Sequence, residues 1–303
     1  MKEEDFLKTI KNIIGNDYIG DDCAYLKDLE LVISQDSLVE GVHFSFNYMT
    51  PYQLGYKSGK VNISDIVASG GKSKYMLVSL SLPNQTDTKF VQEFYHGLKD
   101  AIGDVKIIGG DITGSDKVMI SITIIGEDNN RKISSRKNAK TGYVIITNGV
   151  HGSSAGGLKL LQTGRNNEKL TTAHIMPNID ETVPKIIAEN ITTDYAMMDT
   201  SDGLADALFK IAKESNKTIV VDFNQIKYDK ELKEYFPNDY KNMILYGGED
   251  YKIVAAIPED FAKKNKFNII GYVEEKQKTP VIIKNYENED IIVNSEEFFN
   301  HFK

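Results

Sequence analysis

The chain has 303 residues, of which 41% are hydrophobic and 26% charged, a balance that fits a packed globular protein and excludes general disorder. The formal net charge of -8 argues against a broad cationic nucleic-acid surface. Arg131, Arg136 and Arg165 are the only arginines, so a phosphate ligand would be held by lysines, backbone N–H groups or metal ions rather than by an arginine cradle.

The chain opens MKEEDFLKTI, acidic and without an apolar core segment, so no secretory signal is expected. No apolar run nears the ~20 residues of a membrane span, and a cytoplasmic location is expected. Residues 3–15 set Phe6, Leu7, Ile10, Ile13 and Ile14 at helical spacing, with Gly15 as a stop. Cys23 is the single cysteine, which excludes an intrachain disulfide and a cysteine zinc cluster. LVIS (31–34) predicts a short buried strand, 51–69 a helix opened by Pro51 and closed at Gly70-Gly71, and YMLVSLSL (75–82) a strand. Residues 88–102 form one amphipathic helical stripe; 105–109 and 118–126 predict strands.

The polar run 127–142 has no apolar period and marks a boundary. Beyond it the pattern predicts a strand at 143–148, helices at 154–163 and 180–189, a strand at 195–199 and a helix at 202–214. Strands at 218–223, 251–257 and 268–273 complete the series. Two mixed α/β halves result, divided as 1–137 and 138–303.

Acidic residues recur at glycine-flanked ends of these elements: Asp21-Asp22, Asp36, Asp65, Gly110-Asp111, Asp199 with Asp202, and Glu249-Asp250. Such ends are where α/β folds place ligands. Taken singly, each also reads as an N-cap or a turn residue. Asp65 is harder to explain so, because it lies inside a helix and a carboxylate there needs a partner. If these groups converge, their repulsion calls for hard divalent cations, which choose oxygen ligands. Walker A, GxGxxG and GxSxG motifs are absent; GYKSGKV (55–61) has the wrong spacing for a phosphate loop. Gly152-Ser153-Ser154-Ala155-Gly156-Gly157 opens a helix that could bind an anion or simply pack closely. His96 and His174 read as ordinary surface or boundary residues.

The segments GDDCAYL (20–26), SQDSLVEGVHF (34–44), VNISDIVASGG (61–71), IIGGDITGSD (107–116), DTSDGLADAL (199–208) and YGGEDYKI (246–253) resemble, in order and spacing, the signature segments of thiamine-monophosphate kinases. The wider superfamily includes aminoimidazole ribonucleotide synthetase, selenophosphate synthetase and a hydrogenase-maturation protein. The resemblance implies a two-domain, synthetase-like α/β fold with mixed sheets: an N-terminal ATP- and Mg²⁺-binding domain whose sheets pair in a homodimer, and a C-terminal α/β domain. It implies ATP-dependent phosphorylation of thiamine monophosphate to thiamine diphosphate. By the same carry-over, Asp22, Ser34, Asp36, Asp65, Asp111, Asp199 and Asp202 would bind several Mg²⁺ ions. Gln35 replaces the family's usual threonine and could still ligate through its amide oxygen. Tyr95, Gly110, Asp111, Arg136 and Ser201 would contact ATP, while His43, Glu249 and Phe299 would line the thiamine phosphate pocket. Asp111 and Asp202 would be catalytic. The expected chemistry is in-line transfer without a general base, because the acceptor phosphate is already anionic. A sister ATP-dependent cyclase or ligase, or a non-catalytic nucleotide-binding protein, remains the alternative.

Overall fold

The computed structural model describes residues 3–15, 18–287 and 289–299. In the first half, α1 (Glu3–Ile14) precedes β1 (Ala24–Leu26), β2 (Leu31–Val39), α2 (Pro51–Ala68), β3 (Lys72–Leu82), α3 (Thr88–Ile102), β4 (Lys106–Gly114) and β5 (Met119–Glu127). The strands form one sheet in the order β1-β2-β5-β3-β4, with β3 and β4 parallel and the other pairs antiparallel.

The second half contains β6 (Tyr143–Thr147), α4 (Ser153–Gln162), α5 (Glu168–Ile175), α6 (Thr182–Asn190), β7 (Ala196–Asp199), α7 (Leu204–Glu214) and β8 (Thr218–Asp222). It continues with α8 (Lys230–Tyr235), α9 (Tyr240–Tyr246), β9 (Ile253–Pro258), α10 (Glu259–Lys264), β10 (Ile269–Glu274), β11 (Val281–Tyr286) and β12 (Glu289–Ile292). Its seven-stranded sheet runs β12-β11-β8-β10-β6-β9-β7, mixed in direction because β8 and β11 are parallel. No described helix is long and apolar enough to cross a membrane.

Helix α2 positions everything that follows. Thr50 caps it: Thr50 Oγ1 accepts Gln53 N at 3.2 Å, and Gln53 Oε1 accepts Thr50 N at 2.9 Å. Its glycines serve packing rather than phosphate binding. A Cβ on Gly55 would lie 1.9 Å from Phe94 O of α3, and one on Gly97 of α3 would lie 1.8 Å from Tyr52 O. The two backbones therefore touch, which only glycine allows. The other sides of α2 meet both sheets, and one apolar core runs from Val32, Ile122 and Leu80 through Ile63 and Val67 to Met197, Ile253 and Ala255. Cys23 is buried within it, 7% exposed. Burial holds its thiol well above the usual range, and the nearby charges of Asp65, Asp22 and Asp199 push it further.

Among the described residues nothing covers the opposite face of the first sheet. Tyr75, Leu77 and Met119 stand exposed there, and Ile107 and Ile112 along the edge strand β4, all nine residues of which are exposed. The sequence pattern ends β2 at Ser34 and β4 at Gly109. Both strands run on, β2 to Val39 and β4 to Gly114, so Asp36 and Asp111 lie inside strands rather than after them.

Candidate active site

Neighbouring residues of α2 reach the two sheets in turn. Ser34 Oγ, on β2, donates to Asp65 Oδ2 at 2.5 Å. Ser64 Oγ donates to Asp199 Oδ2, at the end of β7, also at 2.5 Å. Asp199 is 1% exposed, and its other oxygen accepts Ser201 N at 3.2 Å and Ser201 Oγ at 2.8 Å. The turn after Asp199 is not helical, since α7 starts only at Leu204; Asp202 lies in that turn, half-buried. Asp22 enters from the loop before β1, paired with Arg136 Nη2. Arg136 also donates through Nη1 to Gly20 O at 3.2 Å and through its backbone N to Asp21 Oδ1 at 2.6 Å.

These carboxylates sense one another. Burial raises Asp36 to about 7, and the charges of Asp199, Asp202 and Asp22 add to the rise. Asp65 is raised well above the usual range by burial and then by Asp36, Asp199 and Asp22. Asp22 rises to about 6, again mainly through burial, with Arg136 opposing and Asp199 reinforcing. Asp22 Oδ2 is buried and has no hydrogen-bond partner among the described residues. Lys210 bridges Asp202 at 3.0 Å and Asp206 at 2.7 Å and softens the field from that side. Oxygen-only donors, mutual repulsion and an unpartnered buried carboxylate oxygen fit a hard divalent cation. Among the described residues, no three such side chains are already gathered at ligand distance, so a cation would have to draw them together.

The raised values fix a sign. Over the interval between the ordinary carboxylate range and about 7, these carboxyls keep protons in the folded protein that the unfolded chain has lost, so they make metal-free stability fall as pH rises, a slope that His174 and His151, lowered by burial to about 4 and about 3, partly offset. Calorimetry in chelator should show the melting temperature dropping over about pH 4 to 7. Mg²⁺ should restore it at pH 8 and do little at pH 4.5. A Mg²⁺ effect independent of pH would count against the cluster. Asp250, also raised to about 6 by burial, contributes to the slope but not to the Mg²⁺ response.

A second group adjoins the first. Glu249 N donates to Ser201 O at 2.7 Å, and Glu249 Oε1 pairs with Lys57 Nζ of α2 at 2.9 Å. Glu249 Oε2 lies 3.3 Å from His174 Nδ1 of α5. Burial pushes the Glu249 carboxyl up, but Lys57 and then His174 outweigh it and leave it below its ordinary value. Burial, helped by Lys57, lowers His174 to about 4, so the ring is neutral at neutral pH. His43, whose Nδ1 accepts Val39 N at 3.0 Å, also favours the Glu249 charge.

Several expected site residues lie elsewhere. Gln35 faces away from Ser34 and Asp36, as strand alternation requires; its amide accepts Thr123 Oγ1 at 2.9 Å and donates to Ser121 Oγ at 3.3 Å on the outer face. Asp111 sits in the same row as Ser79, Ser121 and Ser37, also on the outer face, so this chain does not bring it to Asp36. Gly110 packs against Val78 of β3, where a Cβ would meet Val78 O at 1.8 Å. Tyr95 is half-buried on α3 with its ring edge-on to Phe94 at 5.5 Å. Phe299 is 56% exposed, while its neighbour Phe298 packs on Phe209 at 5.3 Å.

The loop opening α4 is already occupied by an anion of the protein itself: Asp250 accepts Gly152 N at 2.5 Å and Ser154 N at 2.9 Å. Lys57, His174, Lys210 and Tyr251 were not singled out from sequence. His174 is not a surface or boundary residue but 2% exposed. The pairing of GGED with φ values of 64° at Glu249 and 50° at Tyr251 is visible only in the backbone.

Two α/β halves joined through a shared helix, with carboxylates meeting at the junction, define a protein of the aminoimidazole ribonucleotide synthetase-like class. Residues 20–127 match the family model for "AIR synthase related protein, N-terminal domain". The chain is 32% identical to the thiamine-monophosphate kinase of Bacillus subtilis, over 94% of this chain and 93% of that protein. It is 34% identical to the thiamine-monophosphate kinase of Aquifex aeolicus, over 88% and 89%. A solved structure of AaThiL complexed with AMPPCP and TMP has a TM-score of 0.88 at 29% identity, covering 99% of this chain and 97% of that one. The chain belongs to the thiamine-monophosphate kinase family and is an enzyme, a phosphotransferase of that kind.

Proposed function

We propose that this enzyme transfers the terminal phosphoryl group of ATP directly and in line to the phosphate of thiamine monophosphate, giving thiamine diphosphate and ADP in the cytoplasm. The observation that carries the reading is that Asp22, Asp36, Asp65, Asp199 and Asp202 lie near enough for their charges to bear on one another, with Asp65 held by Ser34 and Asp199 by Ser64. The related structure complexed with AMPPCP and TMP supports a site for both reactants.

Donor and acceptor phosphates repel one another and the carboxylates alike. Bound Mg²⁺, held by these aspartates, would neutralise that charge and polarise the transferring group. Asp199 and Asp65 are oriented by their serine hydroxyls before any ligand arrives. Arg136 is fixed by Gly20, Asp21 and Asp22, with its guanidinium at the cluster's edge, where an ATP phosphate would meet it. Ser201 reaches the same turn. No side chain has to remove a proton, because the acceptor oxygen is already anionic near neutral pH.

The direct test is incubation with Mg·ATP and thiamine monophosphate, followed by chromatography. ADP and thiamine diphosphate should form one for one, with inversion at a chiral γ-phosphorus. Release of inorganic phosphate without thiamine diphosphate would overturn the reading in favour of the sister cyclase chemistry.

The exposed edge strand β4 supports the homodimer. Ile112, in register with Leu80 and so on the other side of the strand from Asp111, is 65% exposed there, and exposed apolar residues along a sheet edge mark an interface. Pairing there would also give Asp111 a role it cannot have toward this chain's own cluster. Ile112→Lys should therefore shift the protein from dimer to monomer in sedimentation velocity; an unchanged mass would place the interface elsewhere.

A further inference from the structure

We infer that Lys57 and His174 are positioning residues that pin the two oxygens of Glu249 and so fix its exposed edge toward the cationic end of the substrate. This inference rests on the thiamine monophosphate reading and specifies what the substrate pocket of that reading requires.

Lys57 is fully buried in α2, and a buried ammonium needs a counter-charge; Glu249 Oε1, 2.9 Å away in the other half of the chain, supplies it. The second oxygen lies 3.3 Å from Nδ1 of His174, itself 2% exposed; with the ring neutral and its proton on Nδ1, that N–H is shared between Glu249 Oε2 and Ser154 Oγ at 3.0 Å. The Glu249 side chain nevertheless keeps 25% of its surface. A pair that served only to join the two halves would have no need of that opening.

The backbone carries a second sign of function. Glu249 and Tyr251 both adopt left-handed conformations, at φ 64° and 50°, without being glycine. Such residues persist where the surroundings impose them, typically at binding sites. The Glu249 N–H bond to Ser201 O ties this strained segment to the Asp199 turn, so the pocket and the carboxylate cluster share one scaffold.

The groups that face Glu249 are Lys57 from α2, His174 from α5, His43 from the loop after β2, Tyr48 from the loop before α2, and Tyr251 of its own segment. Of these, Lys57 carries the strongest influence holding the carboxylate charged, against burial. Without Lys57, burial would favour the neutral acid, and the pocket would lose its anion.

The test combines a titration with kinetics. In protein labelled with ¹³C at the glutamate carboxyl, the resonance lost in Glu249→Gln identifies the group. It should titrate below the ordinary glutamate range in the wild type, move upward in Lys57→Met and return in Lys57→Arg. The KM for thiamine monophosphate should rise ~10-fold in Lys57→Met and in His174→Ala, with KM for ATP and kcat changed less than ~3-fold. His174→Asn, which keeps a donor, should recover part of the loss. An unshifted resonance in Lys57→Met would overturn the inference. So would equal losses toward ATP and thiamine monophosphate, the mark of a merely structural pair. A wild-type enzyme inactive on thiamine monophosphate would instead overturn the substrate reading, and the substrate half of this inference with it; the titration would still decide whether Lys57 holds the charge.

Discussion

Asp36→Asn is expected to lower kcat by ~100- to 1000-fold while raising the melting temperature of the metal-free enzyme at pH 8. The side chain points from β2 toward α2, and burial together with the charges of Asp199, Asp202 and Asp22 makes its ionised form unfavourable. An amide of the same shape removes that repulsion. It also removes an anionic oxygen on which Mg²⁺ coordination would depend. At pH 5 the native carboxyl is already protonated, so the gain in stability should vanish there. Asp199→Asn makes the contrast. Asp199 accepts bonds from Ser64 and Ser201, so its replacement should cost activity without any gain in stability. The measurements are kcat at saturating Mg·ATP and calorimetry in chelator. An Asp36→Asn protein that melts lower at pH 8 would show that the carboxylates do not repel.

Glu249→Gln should be the most destabilising polar change at the site. It leaves Lys57 fully buried without a counter-charge, a situation that costs ~3 kcal/mol or more. The melting temperature should fall by roughly 5 °C or more in a chain of this size. Adding Lys57→Met to that background should restore most of the loss, because the pair then disappears as a unit. The double variant should still bind thiamine monophosphate poorly. Additive losses in the double-mutant cycle would mean that the two charges do not interact.

What the residues disclose in advance depends on how each element is stabilised. Helices α2 and α3 are legible because Pro51, Gly70-Gly71 and a clean apolar stripe mark them. The far end of β2 is not. Its buried face there is built from Ser34 and Asp36, which hydrogen-bond and ionise rather than pack, so apolar periodicity stops where the site begins. Helix α5 is not legible for a related reason. EKLTTAHI has little helical stripe, and it is ordered by burial of Leu170, Thr171, His174 and Ile175 and by the Asn167 cap. Strand β4 is legible as a strand from VKIIG, but nothing in that run tells that it is exposed along its whole length in one chain.

The site divides in the same way. Aspartates at the ends of elements, some beside glycine, announce themselves, and the charges of Asp22, Asp36, Asp65, Asp199 and Asp202 bear on one another. Nothing local to GYKSGK tells that its first lysine is buried, because the partner lies in the other half of the chain. Gln35 and Asp36 adjoin in sequence but not in space, because in a strand the next residue belongs to the other face.

The seclusion of Cys23 makes the native sulfur a poor nucleophile toward maleimides and iodoacetamides. A cysteine introduced on the exposed strand β4 or on the outer side of α1 would then be the sole site taking up a fluorophore or spin label. Opening and closing of the two halves, or encounter of two protomers, could be followed by spectroscopy in the otherwise natural sequence, with no prior engineering to silence background.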